Sequence, residues 1–348
     1  MTRKLVTIEK IREIKPIEGA DQIEAARVRD WWVVIRKGEF KVDSLCMYFE
    51  IDSFLPVKPE YDFLLRGSRP KRMMVDGEER EGIRLKTIRL RGQVSQGLAM
   101  PLPKEPVKGI NFKDIEVGTN ITSLLDVVKF EAPIPGCLTN VARGNFPDFL
   151  EKTDEERIQN CSQILDLFKD TKVYITEKLD GTSATYYKHE GEFGACSRNM
   201  DLKKSDSMYW KIAEQLKLEE RLPDNLCIQG EIIGEGIQKN PLKQTGQNFY
   251  LFNIYDIKER RYHSLKEIQI FCNAYGINMV PLIKENIDLN FSVDELLLIA
   301  NNKSELNPKS IKEGIVVRSM IEKNIIERNL PTRLSFKVIN NSYLLEEK

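Results

Sequence analysis

Thr176-Glu177-Lys178-Leu179-Asp180-Gly181-Thr182-Ser183 is the stretch that decides how this chain is read. Val173-Tyr174-Ile175 precedes it and Ala184-Thr185-Tyr186-Tyr187 follows. Both flanks are strand-like runs of β-branched and aromatic residues, with Asp180-Gly181 as the turn or bend between them. The pattern Lys-x-Asp-Gly thus sets an amine and a carboxylate close together at a strand end. A solvated ammonium is a poor nucleophile, whereas a lysine beside other cations or a metal ion can lose its proton and attack. The plain alternative is an ordinary hairpin with a surface lysine beside its turn, and these residues by themselves leave both readings open.

The 348 residues are enough for two domains with separate cores. Lys plus Arg and Asp plus Glu both number 53, so any surface that attracts nucleic acid must be local. No apolar run approaches the roughly 18 residues of a membrane span, and Met1-Thr2-Arg3-Lys4-Leu5-Val6 has no apolar signal region. Cys46, Cys137, Cys161, Cys196, Cys227 and Cys272 are scattered, with no Cys-x-x-Cys, and read as core thiols of a reducing, cytoplasmic compartment. His189 and His263 are too few for a histidine-based metal site or triad, so any metal would have oxygen ligands, as Mg²⁺ or Mn²⁺ prefer. Gly-Lys-Ser/Thr and Gly-x-Gly-x-x-Gly loops are absent.

Residues 1–130 read as an all-β domain, a small barrel of short strands: Leu5–Ile8, Ile23–Val28, Trp32–Ile35 and Leu45–Ile51 are separated by turn signals. The segment Arg66–Arg91 holds nine basic against four acidic residues. It is either a phosphate-backbone contact surface or a solvated hairpin of mixed charge. Residues 131–150, with Pro133, Pro135-Gly136, Arg143-Gly144 and Pro147, read as a linker, and 151–348 as a second domain. Thr153-Asp154-Glu155-Glu156 fits a capping box opening a helix over 154–168. Arg157 is then either a surface partner of Asp154 or a phosphate contact.

Further along, Ser197-Arg198-Asn199 ends a strand-like run, where a guanidinium suits bidentate phosphate contact. Leu226–Gly234 is an apolar strand with one carboxylate, Glu231, which is costly there unless paired or bound to a metal or ligand hydroxyl. Phe249–Ile257 is a further buried strand whose aromatics are core, or stack on a base. Glu313 stands at the edge of Gly314–Arg318, and Lys337 is a lone lysine in the apolar run Leu334–Asn340, where an anion would partner it.

Lys178-x-Asp180-Gly181, Ser197-Arg198-Asn199, Gly230-Glu231, Phe252–Asp256, Glu313–Val316 and Phe336-Lys337 stand in the order found in the covalent nucleotidyltransferases, the ATP-dependent ligases and mRNA capping enzymes. Pro16–Glu24, Tyr48–Pro56 and Leu90–Leu98 resemble the OB-fold at the N-terminus of one group of RNA ligases. The resemblance implies an α+β chain, an N-terminal OB-type β-barrel that binds RNA followed by an adenylyltransferase (ATP-grasp-like ligase) domain of antiparallel sheets with flanking helices. It implies an ATP-dependent RNA ligase that joins 3′-OH and 5′-phosphate ends through a lysyl-AMP with Mg²⁺ or Mn²⁺, and nothing in the sequence calls for more than a monomer. Related ligases and capping enzymes usually place an OB domain after the last motif, and the chain ends eight residues beyond Asn340, which favours RNA over the alternatives. Those are a DNA ligase, a capping guanylyltransferase or a non-catalytic RNA-binding protein.

The resemblance also implies roles. Lys178 attacks the α-phosphate; Asp180, Glu231 and Glu313 surround the metal, or one of them takes the ribose; Lys337 holds the α-phosphate. Phe252 stacks on adenine, Glu177 falls where adenine contacts lie, and Arg198 and Arg157 meet phosphates. The last motif departs from the common Lys-x-Lys: Ser335 stands at its first position, so Arg333 is a candidate for the second cation.

Overall fold

The computed structural model describes residues 4–65, 69–75, 77–131, 141–325 and 331–346. The chain divides into two compact units, Met1–Ile134 and Pro135–Lys348. Pro133, Pro135-Gly136, Cys137, Arg66 and Asp76 lie outside the described residues.

The first unit is built of sheets. Val6–Pro16 pairs with Ile23–Val28 and Leu45–Phe49 in a five-stranded sheet, and Ser53–Pro56, Glu78–Arg84, Lys71–Val75 and Val128–Lys129 form a four-stranded one. Alternation along the strands sends Val6, Ile8, Met47, Phe49, Leu55, Ile83 and Leu85 into one core. The basic stretch splits in two. Lys71–Val75 and Glu78–Arg84 form a hairpin in which Arg72 faces Glu79 and Glu81, while Arg84 is held 2.7 Å from Asp52. Arg89 and Arg91 sit on or beside a separate ribbon, Ile88–Leu90 with Gln93–Ser95.

The second unit has two sheets. In the larger, the strands Ala142–Asn145, Met200–Leu202, Glu192–Cys196, Thr182–His189, Leu226–Gly234, Gln247–Asp256 and Arg261–Tyr262 follow one another in space. In the smaller the order is Glu156–Arg157, Ser335–Ile339, Gly314–Ser319, Lys172–Lys178, Leu282–Asp288. The outer face of the larger sheet buries Tyr186, Ile228 and Leu251 against Met208–Gln215 and Leu265–Tyr275. Val173, Ile175, Ile315, Val317, Phe336 and Val338 of the smaller sheet pack with Val293, Leu296 and Ala300 of the helix Val293–Ala300. Ser264 and Ser292 cap these last two helices, each in a capping box with the glutamate three residues on.

Two local expectations need correction. Ala142–Asn145 is a strand paired with Met200–Leu202, so these four residues of the stretch read as a linker belong to a sheet. Thr153 caps no helix. Glu156–Arg157 runs parallel to Phe336-Lys337 as an edge strand, followed by the 3₁₀ turn Ile158–Asn160 and the short helix Gln163–Leu167. Glu156 accepts from the Arg157 N–H and from Asn160 at 2.9 Å instead of reaching back to a cap. Pairing to a neighbouring strand outweighs a local helix signal here.

Candidate active site

The Lys-x-Asp-Gly stretch is not a hairpin. Lys172–Lys178 pairs with Gly314–Ser319 and Leu282–Asp288, and Thr182–His189 pairs with Glu192–Cys196 and Leu226–Gly234. Leu179-Asp180-Gly181 therefore carries the chain from one sheet to the other. Gly181 is required at this crossing, because a Cβ there would lie 2.3 Å from the Ile232 carbonyl oxygen.

Strand alternation sets which side chains face the cleft between the sheets. On the smaller sheet Ile175, Ile315 and Phe336 point into the core, so Thr176, Lys178, Val316 and Lys337 point the other way. Thr176 pairs with Val316, Val316 with Lys337, and Lys337 with Arg157, giving one row across four strands. Lys178 pairs with Gly314, one row along. From the facing sheet come Glu231 and Phe252, and the Arg318 guanidinium lies 5.6 Å from the Phe252 ring centroid.

Lys178 Nζ donates to Glu313 Oε1 at 2.6 Å, with the two side chains 29% and 16% exposed. Burial works against its charge, but Glu313, Glu231 and Asp180 together hold it above the ordinary lysine range. Glu231 is pushed up to about 8, mainly by burial, with Lys178 opposing and Glu313 and Asp180 adding like-charge repulsion. Lys337 is lowered to about 8 by burial and by the cations Arg157 and Lys178. Three carboxylates and three cations are thus near one another with their charges imperfectly matched, a condition typical of sites that do chemistry. Among the described residues no three His, Cys, Asp or Glu side chains converge into a metal-binding cluster, so Asp180, Glu231 and Glu313 surround the lysine without forming a preformed cage.

The remaining expected residues divide. Phe252 is half-buried beside Leu179, Ile233, Leu242 and Val280. Arg198 is exposed and paired with Asp154. Glu177 falls in register with Ile315, on the opposite face from Lys178, and its Oε2 accepts the Glu305 backbone N–H at 2.7 Å. Arg333 is committed elsewhere: it bonds Glu322 at 3.0 Å and lies 3.7 Å over the Tyr262 ring. The cation beside Lys337 is Arg157, brought there by the parallel strand pair. Sequence reading passes over Glu155 and Arg318, which bond at 2.8 Å in the buried floor of the smaller sheet. Arg318 ends the apolar run Ile315-Val316-Val317, the same signal that singles out Lys337.

An OB-fold domain model matches residues 5–102, and an RNA ligase model matches residues 171–339. The Naegleria gruberi RNA ligase, solved as a lysine-to-methionine variant with AMP and manganese, is 38% identical, with 98% of each chain covered and a TM-score of 0.85. The chain belongs to the RNA ligase family. The same relative solved as a lysine-to-alanine variant with ATP and manganese is 37% identical over 98% of each chain, at a TM-score of 0.85. With pyrophosphate the match covers 99% of this chain and 98% of that one, at 37% identity and a TM-score of 0.84. No curated protein matches. Membership of the family implies an RNA substrate. Among the described residues no helix is long and apolar enough to cross a membrane.

Proposed function

We propose that this RNA ligase consumes ATP and seals 3′-OH/5′-phosphate ends through a lysyl-AMP on Lys178. The observation that carries the reading is the Lys178 amine held 2.6 Å from Glu313, with Glu231 and Asp180 adding to its field and Lys337 near enough to feel its charge. Glu313 aims the amine and is placed to take the proton it must lose. Lys178 Nζ then forms a P–N bond to the α-phosphorus, the bond to the bridging oxygen breaks, and pyrophosphate leaves with the electron pair. Lys337 and Arg157 balance the charge that builds on the phosphate oxygens. Phe252 stacks on the base, and Arg198 exchanges Asp154 for a phosphate. AMP passes to the RNA 5′-phosphate, and the 3′-OH attacks to expel it.

Asp180, Glu231 and Glu313 fit a hydrated Mg²⁺ or Mn²⁺ bound through waters and substrate phosphates, which needs no all-protein cage. When bound, the cation neutralises phosphate charge and favours the neutral amine. The relative's solved variants support these roles. Besides one lysine earlier in its chain, they replace a lysine, an aspartate two positions later, two glutamates and a further lysine, the same residue types in the same order as Lys178, Asp180, Glu231, Glu313 and Lys337.

The OB-type unit holds the RNA, a nicked duplex or a broken strand. The chain acts as a monomer in a cytoplasmic compartment, and the five cysteines among the described residues, all free and buried, favour a reducing one. Incubation with Mg²⁺ and α-labelled ATP, then with nicked duplexes, tests the whole scheme. Acid-stable label on the wild type but not on Lys178→Ala is expected, with sealing only when the 3′-OH strand is RNA. A wild type that labels no better than Lys178→Ala would sink it.

A further inference from the structure

Arg157 owes its place beside Lys337 to a strand of only two residues, Glu156–Arg157, at the edge of the smaller sheet. Residues 151–155, which lead into it, have no regular structure, so contacts to the two sheets set their course. Toward the larger sheet, the Glu151 carbonyl accepts from the Gln229 amide at 2.7 Å, the Thr153 and Ser183 hydroxyls lie 3.3 Å apart, and Asp154 pairs with Arg198. That last pair is exposed, and in the proposed reaction it breaks when Arg198 turns to a phosphate. Toward the smaller sheet, Glu155 accepts from Arg318 Nη2 at 2.8 Å, with the two side chains 14% and 3% exposed. Burial opposes the Glu155 charge, yet Arg318 and Arg333 hold its carboxyl below the usual range. Arg318 is itself fixed on an inner strand, paired with Tyr174 on one side and Ser335 on the other.

We infer that Glu155 is a positioning residue for Arg157. It clamps the chain to Arg318 two residues before the guanidinium, so Arg157 keeps its place beside Lys337 whether or not Asp154 holds Arg198. A two-residue edge strand has few backbone bonds with which to fix its own end, and a buried, charge-assisted pair is a stronger tether. The inference rests on the lysyl-AMP reading above and deepens it, by naming a residue that touches no substrate and acts through one that does. Its loss therefore appears in the chemical step that Arg157 serves.

Single-turnover lysine labelling with Mg²⁺ and α-labelled ATP separates this role from a merely structural one. Unfolded protein lowers the amplitude, whereas a misplaced Arg157 lowers the rate constant of the folded fraction. Glu155→Gln keeps an oxygen for Arg318 but not the charge. It should slow labelling roughly tenfold at saturating ATP, with the ATP concentration for half-maximal rate within about twofold of the wild type. Arg157→Ala should slow labelling at least as much, and adding Glu155→Gln to it should slow it no further. Glu155→Asp keeps the charge and draws the chain back by one methylene. It should slow labelling about threefold, and it carries the same test if the glutamine variant folds too poorly to label. A Glu155 variant that loses amplitude alone, or that slows Arg157→Ala further, overturns the inference, as does an Arg157→Ala enzyme as fast as the wild type. A wild type that takes no label from ATP overturns the ligase reading itself, and the role of Glu155 with it.

Discussion

Two buried charge clusters, one in each unit, make opposite use of the same groups. In the OB-type unit every nitrogen of the Arg29 guanidinium is engaged: Nε bonds Glu9 at 2.8 Å, Nη1 bonds Glu50 at 2.9 Å and Nη2 bonds the Thr7 hydroxyl at 2.8 Å. Burial opposes its charge, yet Glu9 and Glu50 hold the guanidinium above its usual range. In the ligase unit Lys178 has one short bond to Glu313 and a crowd of further acids. There Glu231 is driven up and Lys337 down, both to about 8. A guanidinium with all three nitrogens fixed by partners is a fastener, while an amine in an over-acidic pocket is a group whose proton can be moved by whatever enters. The difference lies in how the group is partnered more than in burial.

The contrast can be broken most forcefully at Glu313. Glu313→Gln should cut the rate of lysyl-AMP formation by about a thousandfold. It should also lower the pH at which Lys178 loses its proton, because the largest carboxylate support for its charge is gone, as single-turnover labelling from pH 6 to 9 would reveal. In the other cluster Arg29→Leu should cost about 3 kcal/mol of stability, by leaving Glu9 and Glu50 buried without their cation. Chemical denaturation would measure that loss, and lysine labelling of the folded fraction should be unchanged. If labelling fell with it, the two clusters would not be independent.

Lys337→Met should slow labelling about a hundredfold. Lys337 loses its charge as pH rises through about 8, so ATP use should weaken above that pH in the wild type. Lys337→Arg should keep whatever activity it has on the alkaline side, which initial rates at pH 7 and 9.5 would compare. The smallest effect is expected at Glu231. Its folded carboxyl titrates near 8 against an ordinary 4.5, so the folded state binds the extra proton between those values. Stability must therefore fall as pH rises from about 4.5 to 8. Glu231→Gln in EDTA should be more stable than wild type by about 2 kcal/mol at pH 8.5 and nearly equal to it at pH 4.5, by denaturant titration. Equal stability at both pH values would remove Glu231 from the mismatched cluster.

What the sequence makes legible is the order of chemistry-bearing strands. Glu231, Glu313 and Lys337 each stand out as one charged residue against an apolar run, a contrast that survives folding because it reflects the cost of burial. Partners and faces are less legible. Glu156 and Arg157 look like the first turn of a helix because the strand that captures them, Ser335–Ile339, lies far along the chain. Glu177 enters the site reading through the resemblance alone, and the sequence gives no sign that the strand register sets it on the face opposite Lys178. Ala142–Asn145 looks like a linker for want of apolar residues, since an edge strand exposed on both sides needs few. Arg157 supplies the cation that Ser335 does not, and nothing in the local pattern signals that exchange.

Leu179-Asp180-Gly181 also limits how the ligase unit can move. Three residues reach about 10 Å when fully drawn out, and they tie the end of the Lys172–Lys178 strand directly to the start of Thr182–His189. The two sheets are bound like the boards of a book along this spine. Any opening is least at the spine and greatest at the far edges, so the nucleophile and its aspartate stay together whether the pages are open or shut.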